Sequence, residues 1–451
     1  MTDKMEWLGV LVVDDSEDFP GVACSWIESQ PSLSLVGTER NGADPRRVTA
    51  PIPGRRPVRL VRDLFRSAVG AEAPLFTGPR SRHEVPRPGF QQREDRSMKQ
   101  RILKGLGVAS LAVALATTAT FAGGKTTFTT LGVPNAYPWA MNADGTKIVG
   151  SIGYGEYFYW TANEGVVPIG QSGNAGRIVV SGDGNTIAAT IFDENGFGVA
   201  GKWLGGTDWQ ALESLPGAVN CDQSVASAWG IDYYGQTLVG LGWLPQICRA
   251  NAVSWDLVNG GPATDLGTLV PGRASRANGI SGDGRIIVGW QDDEIGQRAG
   301  ARWVDGVESL ILTPAGENVG EVAATNYDGS VMAGSSLPYG NQRVAWVYTT
   351  KKGFKGIDSG PVYSFNVATA VNADGTVVGG LAREQSAGRA RAWVFKNNSL
   401  IWLTDYVNNK KKIAPGWIIL DVSGVSDDGT TITGTGVNPS GFLEGYVINN
   451  F

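Results

Sequence analysis

The sequence predicts an all-β fold, a seven-bladed β-propeller of four-stranded antiparallel blades, from three features that repeat together. A turn glycine returns seven times after residue 125, at intervals of 39, 51, 49, 45, 46 and 54 residues. A small residue follows each turn glycine by five positions, and an aromatic residue follows it by 15 to 20 positions. Self-similarity at a period of about 40 to 50 residues indicates a repeat architecture.

The copies align on these three anchor positions. The turn glycines are Gly145, Gly184, Gly235, Gly284, Gly329, Gly375 and Gly429. The small residues are Gly150, Ala189, Gly240, Gly289, Gly334, Gly380 and Gly434. The aromatic residues are Trp160, Trp203, Trp255, Trp303, Trp346, Trp393 and Tyr446, and we expect them to fill the wedges between blades rather than to stack on a ligand.

Within one copy the apolar residues alternate with period two, which is typical of strands. The fourth copy predicts strands over residues 276–281, 285–289, 300–304 and 307–312. An Asp-Gly pair separates the first two, and this pair is a strong signal for a type I′ hairpin turn. Asp precedes the turn glycine in six copies, while Tyr234 replaces it in the third. Four-stranded units repeated around an axis form a β-propeller.

The last copy provides only three strands, over residues 422–426, 430–434 and 443–449. Residues 126–131 precede the first complete inner strand and have no blade of their own. They end in Leu131-Gly132, as the outer strand of the third copy ends in Leu266-Gly267. We therefore expect this N-terminal segment to become the outer strand of the last blade and to close the ring, because an open edge would expose unpaired backbone groups.

Residues 1–97 differ from the repeats in composition. The segment GVLVVDDSEDF, from Gly9, resembles the first strand of a response-regulator receiver domain, with Asp14 and Asp15 matching the acidic pair that holds magnesium in that family. The later phospho-accepting Asp and its Lys partner are not recognisable. From Arg46 to Ser97 there are twelve Arg and no Lys, with several Pro. We expect a truncated receiver-like fragment followed by a disordered, Arg/Pro-rich extension, not a folded domain.

Residues 98–124 have the pattern of a secretory signal peptide. A basic start with Lys99, Arg101 and Lys104 precedes a short apolar core, and the segment 120–122 provides a small-residue exit. The pattern predicts that Met98 is the natural start and that the mature protein begins near Gly123. If Met1 is the start, the segment is a signal anchor. Both alternatives predict that residues 125–451 lie outside the cytoplasm, as a secreted, periplasmic or cell-surface protein.

The charge of the repeat region excludes several function classes. From Lys125 onward there are 21 Lys and Arg against 29 Asp and Glu, a net charge of −8, which disfavours a nucleic-acid partner. No later apolar run is long enough to span a bilayer. The single histidine, His83, precedes the repeats, so a Ser-His-Asp triad and His metal ligands are excluded there. We expect a monomer that needs no cofactor or metal.

Two cysteines, Cys221 and Cys248, lie in the third copy. They are placed symmetrically about the turn at Tyr234-Gly235, so they would face each other in an unbulged hairpin. In an oxidising compartment this predicts a disulfide, with a chain-entropy contribution of about 3 kcal/mol. The alternative is a pair of free buried thiols.

Residues 251–290 resemble the extracellular HAF-repeat family. Asn251, Ala252, Val253 and Trp255 match its first motif, residues 265–269 match its Asp-Leu-Gly-x-Leu motif, and residues 279–284 match its Gly-Ile-Ser-x-Asp-Gly hairpin. The histidine that opens the family's first motif is absent from every copy, so any role of that imidazole is lost. The resemblance extends more loosely over residues 126–451 and implies a secreted β-propeller, without an established reaction.

The loops that join second to third strands, and outer strands to the next inner strands, share one face of a propeller. Aromatic and acidic side chains there are candidate ligand-binding residues: Tyr137, Trp139, Trp243, Trp290, Asp292, Asp293, Glu294 and Tyr339. Stacking by aromatic rings beside carboxylates suits a glycan or a peptide, and the partner is expected to be a glycan or an extracellular protein. We predict a secreted, non-catalytic binding or structural module. The alternative is a carbohydrate-active hydrolase or lyase that uses paired carboxylates such as Asp292 or Asp293.

Overall fold

The computed structural model describes residues 8–14, 33–40, 58–60 and 124–451, except residues 154, 174, 222, 246, 337–342, 385–387 and 389. Near the N-terminus, β1 (Leu8–Asp14) pairs in parallel with β2 (Leu33–Arg40) and β3 (Val58–Leu60). The predicted signal segment over residues 98–123 lies outside the described residues. No helix in the described part of the chain is long and apolar enough to cross a membrane.

Residues 125–451 form seven antiparallel sheets, which confirms the predicted seven-bladed propeller. Blade 1 comprises β5 (Ala136–Met141), β6 (Lys147–Ile152), β7 (Glu156–Thr161) and β8 (Gly165–Pro168). Blade 2 comprises β9 (Val179–Val180), β10 (Ile187–Phe192), β11 (Gly198–Gly205) and β12 (Asp208–Ala211). Blade 3 comprises β13 (Ala226–Ile231), β14 (Thr237–Trp243), β15 (Ala250–Asp256) and β16 (Thr264–Gly267). Blade 4 comprises β17 (Ser275–Ile280), β18 (Ile286–Asp292), β19 (Arg298–Val304) and β20 (Val307–Leu310).

The remaining blades follow the same order from the inner to the outer strand. Blade 5 comprises β21 (Glu321–Thr325), β22 (Val331–Ser335), β23 (Ala345–Thr349) and β24 (Gly353–Ile357). Blade 6 comprises β25 (Tyr363–Val371), β26 (Val377–Glu384), β27 (Ala390–Lys396) and β28 (Ser399–Trp402). A short helix α1 (Leu403–Asp405) and a π-helical turn (Tyr406–Lys410) lead into blade 7. Its inner strand is split into β29 (Ile418–Ile419) and β30 (Gly424–Val425), which both pair with β31 (Ile432–Val437).

The N-terminal strand closes the ring, as predicted. β4 (Thr127–Pro134) pairs antiparallel with β32 (Leu443–Asn449), with Phe128 opposite Ile448. The Phe128 ring stacks on the Tyr446 ring at a centroid distance of 5.7 Å and meets the Trp417 ring edge-on at 4.9 Å. The strand therefore supplies both the missing hydrogen-bonding edge and part of the apolar core of blade 7.

Six of the seven repeated aromatic residues are buried in the core as expected, while Trp203 is only partly buried and packs against it. Trp255, Trp303, Trp346, Trp393 and Tyr446 are almost completely buried. Two of them also hydrogen-bond to the chain that precedes their own blade: Trp303 Nε1 donates to Leu266 O in the outer strand of blade 3, and Trp346 Nε1 donates to Val319 O before blade 5. Clusters of these rings with Val, Ile and Ala from two adjacent blades form the apolar core between blades.

The turns that follow the inner strands differ from the type I′ prediction. All seven turn glycines have positive φ, but the preceding Asp residues do not. In blade 1, Gly145 N donates to Asn142 O at 3.0 Å, so the glycine is the last residue of a four-residue turn. The Asp144 carboxylate instead accepts a hydrogen bond from Thr146 N. Type I′ geometry occurs at the second Asp-Gly of blade 4, where Asp305 and Gly306 both have positive φ.

Backbone hydrogen bonds join these turns into a ring, on a side of the propeller that we call the turn face. The donors and acceptors are Ala143 N to Gly182 O, Asp183 N to Tyr233 O, Tyr233 N to Gly282 O, Asp283 N to Tyr327 O, Ala373 N to Asp427 O and Asp427 N to Ala143 O. Between blades 5 and 6 the Asn326 side chain donates to Ala373 O. Every blade is thus hydrogen-bonded to both neighbours, including blade 7 to blade 1.

The disulfide between Cys221 and Cys248 is present, with a Cα–Cα distance of 5.6 Å. The geometric premise behind its prediction was wrong. A bulge between Ala228 and Gly230 shifts the β13–β14 register, and the two cysteines lie beyond the ends of these strands. The disulfide therefore ties together the two segments that flank the hairpin.

Candidate functional site

The face opposite the turns, which we call the loop face, is built as expected from two kinds of connection. Loops between second and third strands contact the segments that lead into inner strands. Gly153 N donates to Asn135 O at 2.8 Å in blade 1, and Asp292 N donates to Ala274 O at 2.8 Å in blade 4. Side chains from these two kinds of loop are therefore presented together.

The inner strands surround a central cavity of about 190 Å³. Residues from all seven blades line it, among them Met141, Val179, Ile231, Ile280, Thr325, Val371 and Val425. Trp139, Arg177 and Trp229 also line this cavity. Trp139 is 42 % exposed, and its indole N–H donates to Ser151 Oγ at 3.0 Å.

A group of charged residues, which we call the arginine cluster, lies on blades 2, 4 and 5 beside this cavity. It comprises Arg177, Arg276, Arg298, Arg343 and Glu321. Arg276 Nη2 is 2.7 Å from Glu321 Oε1, and Arg298 Nη1 is 2.7 Å from Glu321 Oε2. Burial alone would raise the pKa of Glu321, but the two guanidinium groups and a hydrogen bond from Asn278 outweigh burial and lower this pKa. Glu321 is thus held as a carboxylate with both oxygens engaged.

Two tryptophans support the guanidinium groups. Arg276 lies 3.7 Å from the centroid of the Trp229 ring, and Arg177 lies 5.1 Å from the same ring. Arg298 lies 4.4 Å from the centroid of the Trp290 ring. Burial lowers the pKa of Arg276 to about 10, and Arg298 and Arg177 add to this effect while Glu321 opposes it. Arg276 therefore stays protonated at neutral pH, and cation–π contact with the indoles stabilises its charge.

Arg177 differs from Arg276 and Arg298 because, among the described residues, no carboxylate lies within ion-pair distance of its guanidinium group. Its Nε atom is buried and has no hydrogen-bond partner among the described residues. Burial lowers the pKa of Arg177, and the Glu321 charge opposes this shift. The hydroxyl of Ser423, a residue of blade 7 that lines the same cavity, is also buried without a partner in the described structure. Buried polar groups are normally hydrogen-bonded, so these two atoms are unsatisfied polar positions on residues that line the cavity.

The structure distributes the predicted ligand-binding residues over three blades. Trp139 lines the cavity, and Tyr137, two residues before it in β5, donates through its hydroxyl to Asn135 Oδ1. Trp290 is only 7 % exposed and supports Arg276 and Arg298. The half-buried Trp243 ends β14, outside the residues that line the cavity. Tyr339 lies outside the described residues.

The predicted carboxylates belong to one loop of blade 4. Asp293 Oδ1 accepts from Ile295 N and Gln297 N, so this carboxylate organises the loop itself. Glu294 is exposed, and its carbonyl oxygen accepts a hydrogen bond from Arg273. Burial raises the pKa of Asp292, and nearby Arg298 opposes this effect.

Sequence reasoning did not single out the arginine cluster or Trp229. A signal was present: Arg276, Glu321, Asp421 and Tyr137 each lie eight residues before a turn glycine, where the inner strand begins. Arg177 lies seven residues before Gly184. Polar and charged residues thus recur at one position near the start of the inner strand, and two of them, Arg276 and Glu321, belong to the arginine cluster.

The fold and this site together define the class of the protein: a seven-bladed β-propeller with an arginine-rich, tryptophan-supported mouth on its loop face. No protein-family model matches the sequence, and no curated protein matches it either.

Solved structures show distant similarity to the propeller. TolB from Acinetobacter baumannii is 12% identical, with a TM-score of 0.39, and the match covers 58% of this chain and 61% of TolB. Oligogalacturonate lyase from Vibrio parahaemolyticus is 15% identical, with a TM-score of 0.46 and coverage of 71% and 93%. The β-propeller domain of the trilobed protease from Pyrococcus furiosus is 13% identical, with a TM-score of 0.47 and coverage of 69% and 95%. At this level of similarity no residue role is carried over to this chain.

Proposed function

We propose that residues 125–451 form an exported, non-catalytic β-propeller that binds a glycan at the mouth of its central cavity. The observation that carries this proposal is Trp139, a large aromatic side chain that is partly exposed at a cavity lined by unpaired polar groups. A rigid indole beside hydrogen-bonding groups suits a sugar ring, which offers an apolar face for stacking and hydroxyls for hydrogen bonds. A peptide ligand would also contact the Trp139 indole, but a peptide has no flat apolar face comparable to that of a sugar ring.

The carboxylates of Glu321 and Asp293 already have ion-pair or hydrogen-bond partners within the protein, which supports binding rather than catalysis. Glu321 is held by two arginines, and Asp293 organises its own loop. A glycosidase needs two carboxylates placed on either side of the bond to be cleaved, one of them protonated.

The first test is Trp139→Ala, which removes the stacking surface. A base–aromatic contact of similar area contributes roughly 1–3 kcal/mol, so we expect glycan binding to weaken about 5- to 150-fold. Binding would be found by glycan-array screening of the whole chain and quantified by titration calorimetry. Tyr234→Ala removes an aromatic residue that is 58 % exposed on the turn face and serves as the control. Equal affinity of the two variants would contradict the proposal.

The alternative function, a hydrolase or lyase, depends on Asp292. Its raised pKa is the property that a general acid requires. If the glycan that binds were cleaved, new reducing ends would appear with time, and Asp292→Asn would abolish them. Binding without cleavage by the unaltered protein supports the non-catalytic function.

Export is inferred from the signal-like segment 98–124 and from the disulfide, since disulfides persist in oxidising compartments. We place the HAF-like repeats outside the cytoplasm on this basis, with residues 1–97 absent from the mature protein. N-terminal sequencing of exported protein should begin near Gly123. A mature protein that still carries residues 1–97 would refute this processing.

A further inference from the structure

We infer that the glycan bound at the cavity mouth is acidic, and that Arg177 binds the carboxylate of one uronic acid residue while Trp139 stacks on its ring. This inference rests on the proposed function and specifies the chemical class of the ligand. Three independent observations support it: the charge of the cluster, the unpaired atoms of the cavity, and the size of the space.

The arginine cluster carries an excess of positive charge. Four guanidinium groups, those of Arg177, Arg276, Arg298 and Arg343, interact electrostatically with the Glu321 carboxylate, and Arg298 also interacts with that of Asp292. Both oxygens of the Glu321 carboxylate are already bound by Arg276 and Arg298. The propeller as a whole has a net charge of −8, so this positive site is local and opposite in sign to the rest of the molecule. A cleft lined by one sign of charge concentrates ligands of the opposite sign.

Arg177 is the member of the cluster that reaches the cavity. It lines the cavity with Trp139 and Trp229, and its Nε lacks a partner within the described residues. Trp229 covers the guanidinium, and the indole N–H of Trp229 is itself fixed on Ser227 Oγ at 2.8 Å. A planar guanidinium held against a rigid ring is pre-organised to bind a carboxylate through two parallel hydrogen bonds.

The other two cavity groups match the remaining parts of a uronic acid. The Ser423 hydroxyl has no partner in the described structure and can bind a ring hydroxyl. The exposed Trp139 indole provides the apolar surface on which a pyranose ring packs. The volume of about 190 Å³ corresponds to roughly six water molecules in the liquid, which is room for one sugar residue rather than a chain segment. We therefore expect the cavity to accept a single uronic acid residue while the rest of the glycan lies across the loop face.

The experiment compares a trimer of glucuronic acid with a glucose trimer of the same linkage, by titration calorimetry on the whole chain. We expect the acidic trimer to bind at least tenfold more tightly than the neutral one, and its affinity to fall as salt is raised. Arg177→Met should abolish this preference, and Arg177→Lys should restore part of it, because Lys retains the charge but not the paired donors. Arg285→Met, which removes an exposed arginine on the turn face, should leave both affinities unchanged.

The stability of Arg177→Met separates a ligand-binding role from a structural one. Because Arg177 has no hydrogen-bonded counterion among the described residues, its removal should leave the urea midpoint unchanged or raise it.

Equal binding of the acidic and neutral trimers, or an unaltered preference in Arg177→Met, would overturn this inference and leave the proposed function intact. Tighter binding of a triglutamate peptide than of the acidic trimer would also overturn it. Absence of binding to every glycan, with no effect of Trp139→Ala, would overturn the proposed function itself.

Discussion

At the scale of single residues, Asp421 shows how the propeller holds an acid in an unfavourable environment. Burial raises the pKa of Asp421 to about 6, although the backbone N–H of Thr435 donates to its carboxylate at 3.0 Å and Arg383 lies nearby. The Tyr446 hydroxyl donates to the carbonyl oxygen of the same residue at 2.7 Å. Asp421 thus connects the split inner strand of blade 7 to the two strands beside it.

The raised pKa predicts a stability that depends on pH. The folded-state pKa exceeds the unfolded value, so the stabilising contribution is complete below pH of about 4 and is lost as the pH rises through about 6. Asp421→Asn keeps an acceptor for Thr435 N–H but cannot ionise. When the pH is raised from 4.5 to 7.5, we expect the free energy of unfolding of the variant to rise by about 1–2 kcal/mol relative to that of the unaltered protein. Urea unfolding of both proteins at both pH values measures this change. If the variant and the unaltered protein differed in stability by the same amount at pH 4.5 and at pH 7.5, the prediction would be wrong.

At the scale of the single element, the repeated small residue of each second strand is explained by a bulge in the inner strand. In blade 4 the bulge lies between Ala277 and Gly279, and it brings the Arg276 carbonyl oxygen within 1.9 Å of where a Cβ on Gly289 would stand. Gly240 and Gly334 meet the corresponding carbonyl oxygens, those of Ser227 and Glu321, at 1.9 and 2.0 Å. Bulges of this kind occur in the inner strands β17 and β21, which carry Arg276 and Glu321, and bulges change the direction of nearby side chains.

Blade 2 is the exception that tests this explanation. Its inner strand β9 has only two residues, which pair with Ile187 and Ala188 of β10. Because β9 does not extend opposite Ala189, the methyl group of Ala189 has room. We predict that Gly289→Ala destabilises the protein by more than about 2 kcal/mol, because backbone atoms would have to move. Ala189→Gly, at the same repeat position, should cost only about 0.5–1 kcal/mol. Thermal or urea unfolding measures the loss of stability in Gly289→Ala and in Ala189→Gly. Similar losses in the two variants would show that the bulge does not explain the small residue at this repeat position.

At the scale of the whole molecule, the ring is closed twice. β4 pairs with β32 in blade 7, and on the turn face Asp427 N donates to Ala143 O between blades 7 and 1. Thr126 Oγ1 also donates to Asn450 O at 2.9 Å. Because each blade is bonded to both neighbours, the blades support one another cooperatively.

Deletion of residues 126–131 should therefore destabilise every blade rather than loosen one end. The deletion removes Phe128 and the buried Leu131, and each large apolar side chain contributes roughly 2–5 kcal/mol, so we expect a loss of about 5 kcal/mol or more. Hydrogen exchange should show reduced protection in all seven sheets. The chain lacking residues 1–124 alone serves as the control. Loss of protection restricted to blade 7 would contradict cooperative closure.

The features that could be predicted from sequence are those that each repeat carries within itself. The turn glycines, the buried aromatics and the missing strand of the last copy follow from local pattern and from counting strands. The turn type was missed because the Asp side chain, as Asp144 shows, accepts a hydrogen bond from the backbone and stabilises a different turn. Of the candidate site, Trp139 and Trp290 were singled out as aromatic residues of loops, but the structure places them in strands β5 and β18.

The arginine cluster could not be assembled from the sequence in the same way. Arg177, Arg276 and Glu321 belong to three blades and are separated by up to 144 residues. Their proximity depends on how three blades are arranged around the ring, and no single repeat shows which residues of other blades its own side chains meet. An isolated arginine in a strand of average composition does not indicate whether it faces solvent or a shared cavity.

Ring closure also has a consequence for biosynthesis. The partner of β4, residues 443–449, is made more than 300 residues later, so the nascent chain carries an unpaired apolar strand throughout the synthesis of blades 1 to 6. Until then the growing arc exposes edges at both ends, which is the condition that favours association between chains. If the chain is exported in extended form, as proposed above, the last step of folding must follow the last step of translocation.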